Sequence, residues 1–583
     1  MKKFPYILYV GFVLMVVAFQ ACKNDYESVP LEKVTIDYIF DKDDSLGNNA
    51  KKYLNSLYAG LQPTSSNYNR VEGDLLDAAS DDAVSSAIGL NATSQTQTSR
   101  LANGSFDAFD RITGEMLWGQ YYQNIRAASI FVNNIDVVPL NDNLFNIPRG
   151  MTQKSIWRSE ARFLRAYAYF ELLKRYGGVP LMGDEVRQLH DNVELPRNTF
   201  EACVEYIVSE MDAIKDSLLS YPVQNPTADS HRITKGAALS LKARVLLYAA
   251  SPLFNGGNIE SANPITGYTD YKVDRWNRAA NAARDVVSQT NNSLLPSFLD
   301  IFLTQNNPEI IFFRQGGNTD NVEQTNGPFG FGTQIGGGGR TSPTESLVSA
   351  FGMKNGMAIA DPESGYDLNN RYEDRDPRLN WTILHNGSAW LNITLETFDG
   401  GRNKPLTTDV QTVTSYYMRK FMGKFETTSN YSPVRRDYIY MRYAEILLNL
   451  AEAANEFSGP STEVYEQIMA IRQRAGIEPG ADNMFGLKPN MDQDEMRQVI
   501  RNERRVELAF EEHRFWDIRR WKIAEEVMNI PLRGLQIQKV GDNLMYNEID
   551  VFTPSFIAPR MYLFPIPFDE VRKNSMMTQN PGW

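Results

Sequence analysis

The chain has 583 residues, 42% of them hydrophobic and 11% aromatic, with 59 Lys and Arg against 71 Asp and Glu for a net charge of −12. That balance excludes a nucleic-acid binder, whose affinity rests on neutralising phosphates with Lys and Arg. The length allows a large core or two or more domains, while a content of only two cysteines, Cys22 and Cys203, excludes a disulfide-built scaffold.

Lys2 and Lys3 precede an apolar run, residues 7–19, that is too short to span a bilayer comfortably. Residues 1–21 therefore read as a signal peptide. It ends at Ala21-Cys22, a small residue before a cysteine, as in a bacterial lipoprotein signal. Cleavage there frees the Cys22 amine and leaves its thiol for lipidation. Phe19 and Gln20 fit the preceding positions loosely, and the competing reading is an ordinary secretory signal with Cys22 incidental. With Cys22 acylated, Cys203 has no partner and packing alone must hold the fold. No later stretch approaches spanning length. Asp41, Asp43 and Ser45 approach a calcium-loop pattern, but the glycine falls one place late and the terminal Glu is missing, so no metal is expected.

Helical periodicity then recurs. Trp118, Tyr121, Tyr122, Ile125, Ser129 and Val132 fall at steps of three and four. Residues 156–176 are apolar around most of a helix, which implies burial, and Gly177-Gly178 stops them. Residues 199–219 predict another helix. Thr234 caps a further one carrying Ala238, Leu241, Val245 and Tyr248, and Trp276, Ala279, Ala280 and Ala283 mark the next. Residues 306–432 differ. They are rich in Gly, Asn, Thr and Pro and predict long loops with short strands or single helical turns. Helices return at residues 438–456, 462–475 and after Asp492, which makes a capping box with Glu495. Residues 503–522 mix eleven charges with Phe510, Phe515, Trp516 and Trp521 and predict one helix with internal ion pairs and buried aromatics. Trp118, Trp157 and Trp276 are expected in the core, as is Cys203. Stacked helical hairpins of tetratricopeptide type are the natural architecture.

Catalytic signatures are missing from the sequence. None of the four histidines is spaced i, i+4 with another, Glu511-Glu512-His513 is not H-E-x-x-H, and neither a G-x-S-x-G elbow nor a Walker A loop occurs. No cofactor is expected. A glycosidase needs only two carboxylates, which 71 acidic residues always provide on paper.

Several segments together carry a resemblance. Residues 158–181 (RSEARFLRAYAYFELLKRYGGVPL), 235–256 (KGAALSLKARVLLYAASPLFNG), Asp376-Pro377-Arg378, 440–456, 500–521 (IRNERRVELAFEEHRFWDIRRW) and 564–583 are similar, in order and spacing, to signatures of the SusD/RagB outer-membrane lipoproteins of Bacteroidetes. Lys23 to Glu27 resembles their acidic surface-export tags. The resemblance implies a mainly α fold, a scaffold of four tetratricopeptide-like helix pairs with loop-rich insertions. It divides the chain into the signal peptide, an N-terminal region (22–230), connecting helices (231–300) and a C-terminal region (301–583) holding the insertion 306–432. It also implies a non-enzymatic, cell-surface binder of glycan, anchored in the outer membrane by lipid on Cys22 and closing over a SusC-like TonB-dependent transporter. A peptide or glycopeptide bound by the same fold is the alternative, and a surface glycosidase the more distant one.

A sugar offers apolar C–H faces rimmed by hydroxyls, so its site needs exposed rings and bidentate polar side chains. Two regions qualify. The first is residues 65–103, with Asn67, Tyr68, Arg70, Asp81 and Asp82; the resemblance implies polar contacts from this loop. The second is the insertion, with Gln324, Phe329, Phe331, Arg340 and Trp390, the last following a turn-like stretch that predicts exposure.

Overall fold

The computed structural model describes residues 35–583 except 62–67, 90–94, 113, 189–190, 192–193, 224–229, 333–336 and 409–410. Cys22, the signal segment and Asn67 lie outside the described residues. Helices dominate: α1 Asn48–Ala59, α2 Trp118–Asn134, α3 Gln153–Tyr176, α4 Phe200–Ile214, α5 Lys235–Ala250, α6 Asp274–Gln289, α7 Tyr443–Ser458, α8 Thr462–Ala475, α9 Gln493–Glu507 and α10 His513–Arg520. No described helix is long and apolar enough to cross a membrane.

Local sequence sets these helices. Thr152 caps α3 in a box with Ser155, and the helix stops at Gly177, whose φ is +76°. Thr234 caps α5, and at the start of α9 the Asp492 and Glu495 carboxylates each accept from the other's backbone N–H. Each cap satisfies backbone N–H groups that have no partner inside the helix. Helices α2 to α7 pack consecutively, α2 on α3, α3 on α4, α4 on α5, α5 on α6 and α6 on α7. Both α3 and α5 are buried around almost their whole circumference. The last pair differs: α8 and α9 each pack on α7. Trp118, Trp157, Trp276 and Cys203 lie in the core, as their spacing predicts.

Three segments depart from the sequence reading. Residues 438–442 form a strand, not the start of α7: β4 (Tyr438–Arg442) pairs antiparallel with β2 (Ile310–Arg314). Tyr438 and Tyr440 alternate with Ile439 and stack beside Phe312 and Tyr68, a period-two pattern. The helix expected over 199–219 ends at Ile214, followed by a single 3-10 turn. The helix expected over 503–522 breaks into α9 and α10, with Phe510 and Glu512 at φ near +63° and +64°. A long hairpin, β5 (Leu532–Val540) with β6 (Asn543–Phe552), follows it.

The break matters because the acidic side chains around it reach other elements. Arg442 donates to Glu309 (2.7 Å), Glu507 (2.6 Å) and Glu511 (2.6 Å). Arg378, in the Asp-Pro-Arg motif, bridges Asp376, Glu503 and Glu507. Lys420 reaches Glu511 at 2.7 Å. All of these side chains are less than a tenth exposed. Arg378 and Lys420 belong to the insertion, and Glu503, Glu507 and Glu511 to the scaffold. Glu503, Glu507 and Glu511 therefore tie residues of the 306–432 segment to the helices, while Asp517–Arg520 is a local i, i+3 pair.

Candidate functional site

The two expected regions meet. Strand β1 (Ala83–Ser85) pairs antiparallel with β3 (Thr341–Pro343), Val84 opposite Ser342. Arg340 bonds the Asp74 carboxylate at 2.9 Å and the Glu72 carbonyl at 3.0 Å. The Thr344 hydroxyl donates to the Asp81 carbonyl at 2.7 Å. Loops more than two hundred residues apart in sequence thus build one surface.

Several expected contact residues are instead consumed in holding that surface. Tyr68 stacks on Phe421 at 3.8 Å between ring centres and donates its hydroxyl to the Asp437 carbonyl. Arg70 is buried between Glu115 and Glu512. Arg514 grips Asp81 with two bonds of 2.8 Å, and Arg505 bonds Asp82 at 2.6 Å. Burial pushes the Asp81 carboxyl up, but Arg514 and Arg505 more than offset it and hold it at about 2. Asp82 stays above the ordinary range, because burial and the Asp81 charge outweigh Arg505. Trp390, expected exposed, is 0% exposed: its indole N–H donates to Tyr431 at 2.9 Å and Arg419 lies over its ring. A ring with its N–H paired in the interior is worth more to loop packing than to a ligand.

Below them sits an unusual acid. Asp77, in the 3-10 turn Leu76–Ala79, is fully buried and, among the described residues, neither of its carboxylate oxygens has a hydrogen-bond partner. Burial first, then the charges of Asp82 and Glu512, push its carboxyl well up. A group raised in the fold is protonated there while the unfolded chain ionises, so it costs stability as pH rises above about 4. Asp77→Asn is expected to match or exceed the parent melting temperature at pH 7 and to flatten its decline between pH 4 and 7. A markedly lower melting temperature at pH 7 would show a charged, partnered carboxylate instead.

What stays accessible is the second region. Gln324 is exposed, and Phe329 and Phe331 are half-buried. Arg402, on a neighbouring loop, places its guanidinium 5.3 Å from the centre of the Phe331 ring and bonds the Gly330 carbonyl. Asn403 bonds the Phe329 carbonyl at 2.6 Å. Gly337, at φ +108°, lies so close to the Pro328 carbonyl that a Cβ would come within 2.2 Å of it. Gly337 thus packs against Pro328, and Phe331 lies half-buried beside Arg402.

Two residues beyond Arg402, Lys404 lines a cavity of about 320 Å3 together with Asp399, Leu406, residues 411–413 and the β5–β6 hairpin. Asp399, Lys404, Gln411 and Gln536 provide its polar groups, and Leu406, 58% exposed, and Ile549 its apolar flank. Lys404 bonds Asp399 at 3.0 Å and the Ser415 hydroxyl at 2.8 Å, while Gln536 holds the other Asp399 oxygen at 2.9 Å. Such a surface offers ring, guanidinium and amides to a hydroxyl-bearing, partly apolar ligand. Asp399 is the carboxylate among the described residues that line the cavity, and it is bonded to Lys404 and Gln536. Asp41 and Asp44, near the calcium-like pattern, bond backbone N–H groups of Asp43, Leu46 and Asn49. Among the described residues, no group of three or more His, Cys, Asp or Glu is placed to hold a metal.

Arg402, Asn403, Lys404, Gln411 and Gln536 were not foreseen. The Asp-Gly-Gly turn at 399–401 beside Arg402-Asn403-Lys404 is a loop signal that could have pointed to the first three. Gln536 carries none, since only the hairpin fold brings it to Asp399.

Comparison with known proteins gives a consistent set of relatives. The model of the SusD family matches residues 308–583. A second model, described as starch-binding associating with outer membrane, matches residues 37–247. A SusD-like protein of Formosa agariphila is 25% identical over 487 residues, 82% of this chain and 81% of that one. A solved SusD-like protein of Bacteroides fragilis is 27% identical, with a TM-score of 0.72 over 94% of this chain and 100% of that one. A SusD-like carbohydrate binding protein of the same species shares the fold, with a TM-score of 0.71, 24% identity and coverage of 92% and 99%.

Proposed function

The chain belongs to the SusD family, and on that premise we propose that it binds an oligo- or polysaccharide at the cell surface. In this reading lipid on Cys22 tethers it to the outer membrane, and it delivers its ligand to a SusC-like TonB-dependent transporter. The observation that carries the reading is the shelf of Phe331 and Arg402, two residues before Lys404 of the amide-lined cavity at Asp399 and Gln536. A sugar ring stacks on the phenyl face while its hydroxyls bond Arg402, Gln411 and Gln536. The cavity lies within the range of small-ligand sites. From the N-terminal region, Ser86 also lines the cavity.

Native gels containing starch, laminarin, xylan or mannan test it. One of these glycans is expected to retard the protein, and Phe331→Ala, Arg402→Ala and Gln411→Ala combined is expected to weaken that retardation at least tenfold. Incubation with the retarding glycan is expected to release no new reducing ends. Unchanged retardation of the triple variant would move the site elsewhere, sustained release of reducing ends would replace binding by catalysis, and capture of peptides alone would replace the ligand class.

A further inference from the structure

A second and larger opening lies elsewhere. A groove of about 1210 Å3 runs between the loop of residues 352–363, the connection leaving α8 and one face of α9. It shares no lining residue with the cavity at Asp399. Its floor is apolar: Met353, Leu487, Met491 and Val506 are buried, and Met357 and Val499 half-buried. Methionine is flexible and polarisable, which suits a surface that accepts varied apolar side chains. The opening is large enough to take side chains of a bound partner.

The rim is acidic. Asp361, Glu363, Asp482 and Glu495 line it against Lys488, whose ammonium is 3.6 Å from Asp361. The other cations in the lining are already engaged, Arg378 by Asp376, Glu503 and Glu507, and Arg472 by Glu503. The walls are also pinned open. Arg472 donates to the carbonyls of Phe485 (2.8 Å) and Gly356 (3.2 Å), Glu478 bonds back to Lys354 (2.8 Å), and Asn502 bonds the Ala350 carbonyl (3.0 Å). Gly356 and Gly486, both at positive φ, join the walls so closely that a Cβ on Gly486 would lie 2.5 Å from the Gly356 carbonyl carbon. A groove held in this way accepts a ligand with little ordering cost.

We propose that this groove docks a peptide segment of another protein in which lysine or arginine side chains flank apolar ones. The apolar side chains fill the methionine-lined floor and the cations meet the carboxylate rim. An anionic segment is rejected by the same charges.

The test is fluorescence anisotropy with the full mature chain and a labelled dodecapeptide of alternating leucine and lysine. Binding is expected that weakens at least tenfold in Glu363→Lys/Asp482→Lys, both exposed rim positions, and at least tenfold in Met357→Asp. Glu201→Lys, on the exposed face of α4, is expected to leave it within twofold. The proposal is overturned if the peptide with glutamate in place of lysine binds as tightly, if the rim double variant stays within twofold of the parent, or if Glu201→Lys weakens binding as much.

Discussion

Arg442→Met is expected to lower the unfolding free energy by about 3–5 kcal/mol, measured as a fall in the urea midpoint at unchanged slope. Arg442 is the last residue of β4 and touches three carboxylates, one preceding β2 and two at the end of α9 and just beyond it. Removing its guanidinium leaves Glu309, Glu507 and Glu511 buried near one another with fewer cations between them. Arg474 remains on Glu309 and Glu507, and Lys420 on Glu511, so the damage is partial compensation rather than full exposure of three charges. The matched comparison is Arg284→Met, which breaks a bidentate pair with Glu463 whose side chains are 39% and 34% exposed. Solvent already screens that pair, and its loss is expected to leave the midpoint near that of the parent. Equal midpoints for the two variants would mean that the buried network does not hold the insertion to the scaffold.

Acidification is expected to destabilise the fold steeply below about pH 5. Burial alone would raise the carboxyls of Glu171, Glu452 and Asp81, but their cationic neighbours overcome it and bring each to about 2. In the unfolded chain the same groups titrate near 4.5 and 3.8. Depressed carboxyls contribute stability that is complete above the unfolded value and is lost as pH falls toward the folded one, on the order of 3 kcal/mol for a shift of about two units. Asp74 works in the opposite sense. Burial lifts it to about 6 despite Arg340, so it gains stability on acidification between about 6 and 4 and blunts the first part of the decline. Glu452→Gln isolates one contribution. Its carboxylate is held by Arg520 at 2.7 Å and by the Trp521 indole at 2.7 Å. The variant is expected to be clearly less stable than the parent at pH 7, with the gap narrowing at pH 3. A gap of the same size at both pH values would refute the linkage.

These two experiments address what the charged residues of 503–522 do, and that segment shows where sequence reading stops. Its aromatics were legible as core, and Phe510, Phe515, Trp516 and Trp521 are all buried. Its charges were not legible, because i, i+3 and i, i+4 spacing on paper offers each acid a local partner. The chain instead breaks at Phe510 to Glu512 and turns those acids toward Arg378, Lys420 and Arg442, up to 129 residues away. The same confusion affected the first ligand region. Tyr68, Arg70, Asp81 and Asp82 have the chemistry of sugar contacts, and they are spent on Phe421, Glu512, Arg514 and Arg505. A residue type reveals what a side chain can bind, while its burial decides which partner it meets.

The sequence by itself determined most of the helices and several of their caps, the loop character of residues 306–432 and the membership implied by motifs such as Asp376-Pro377-Arg378. Those features depend on neighbours within a few residues, where periodicity, capping and glycine leave a direct imprint. Only the tertiary structure decided which loops share a surface, that Trp390 packs inward, that Arg402 lies over Phe331, and that Asp399, Lys404 and Gln536 line one opening. Those arrangements join residues scores to hundreds of positions apart, and they are selected by desolvation and charge pairing, which act through space and leave no period in the chain.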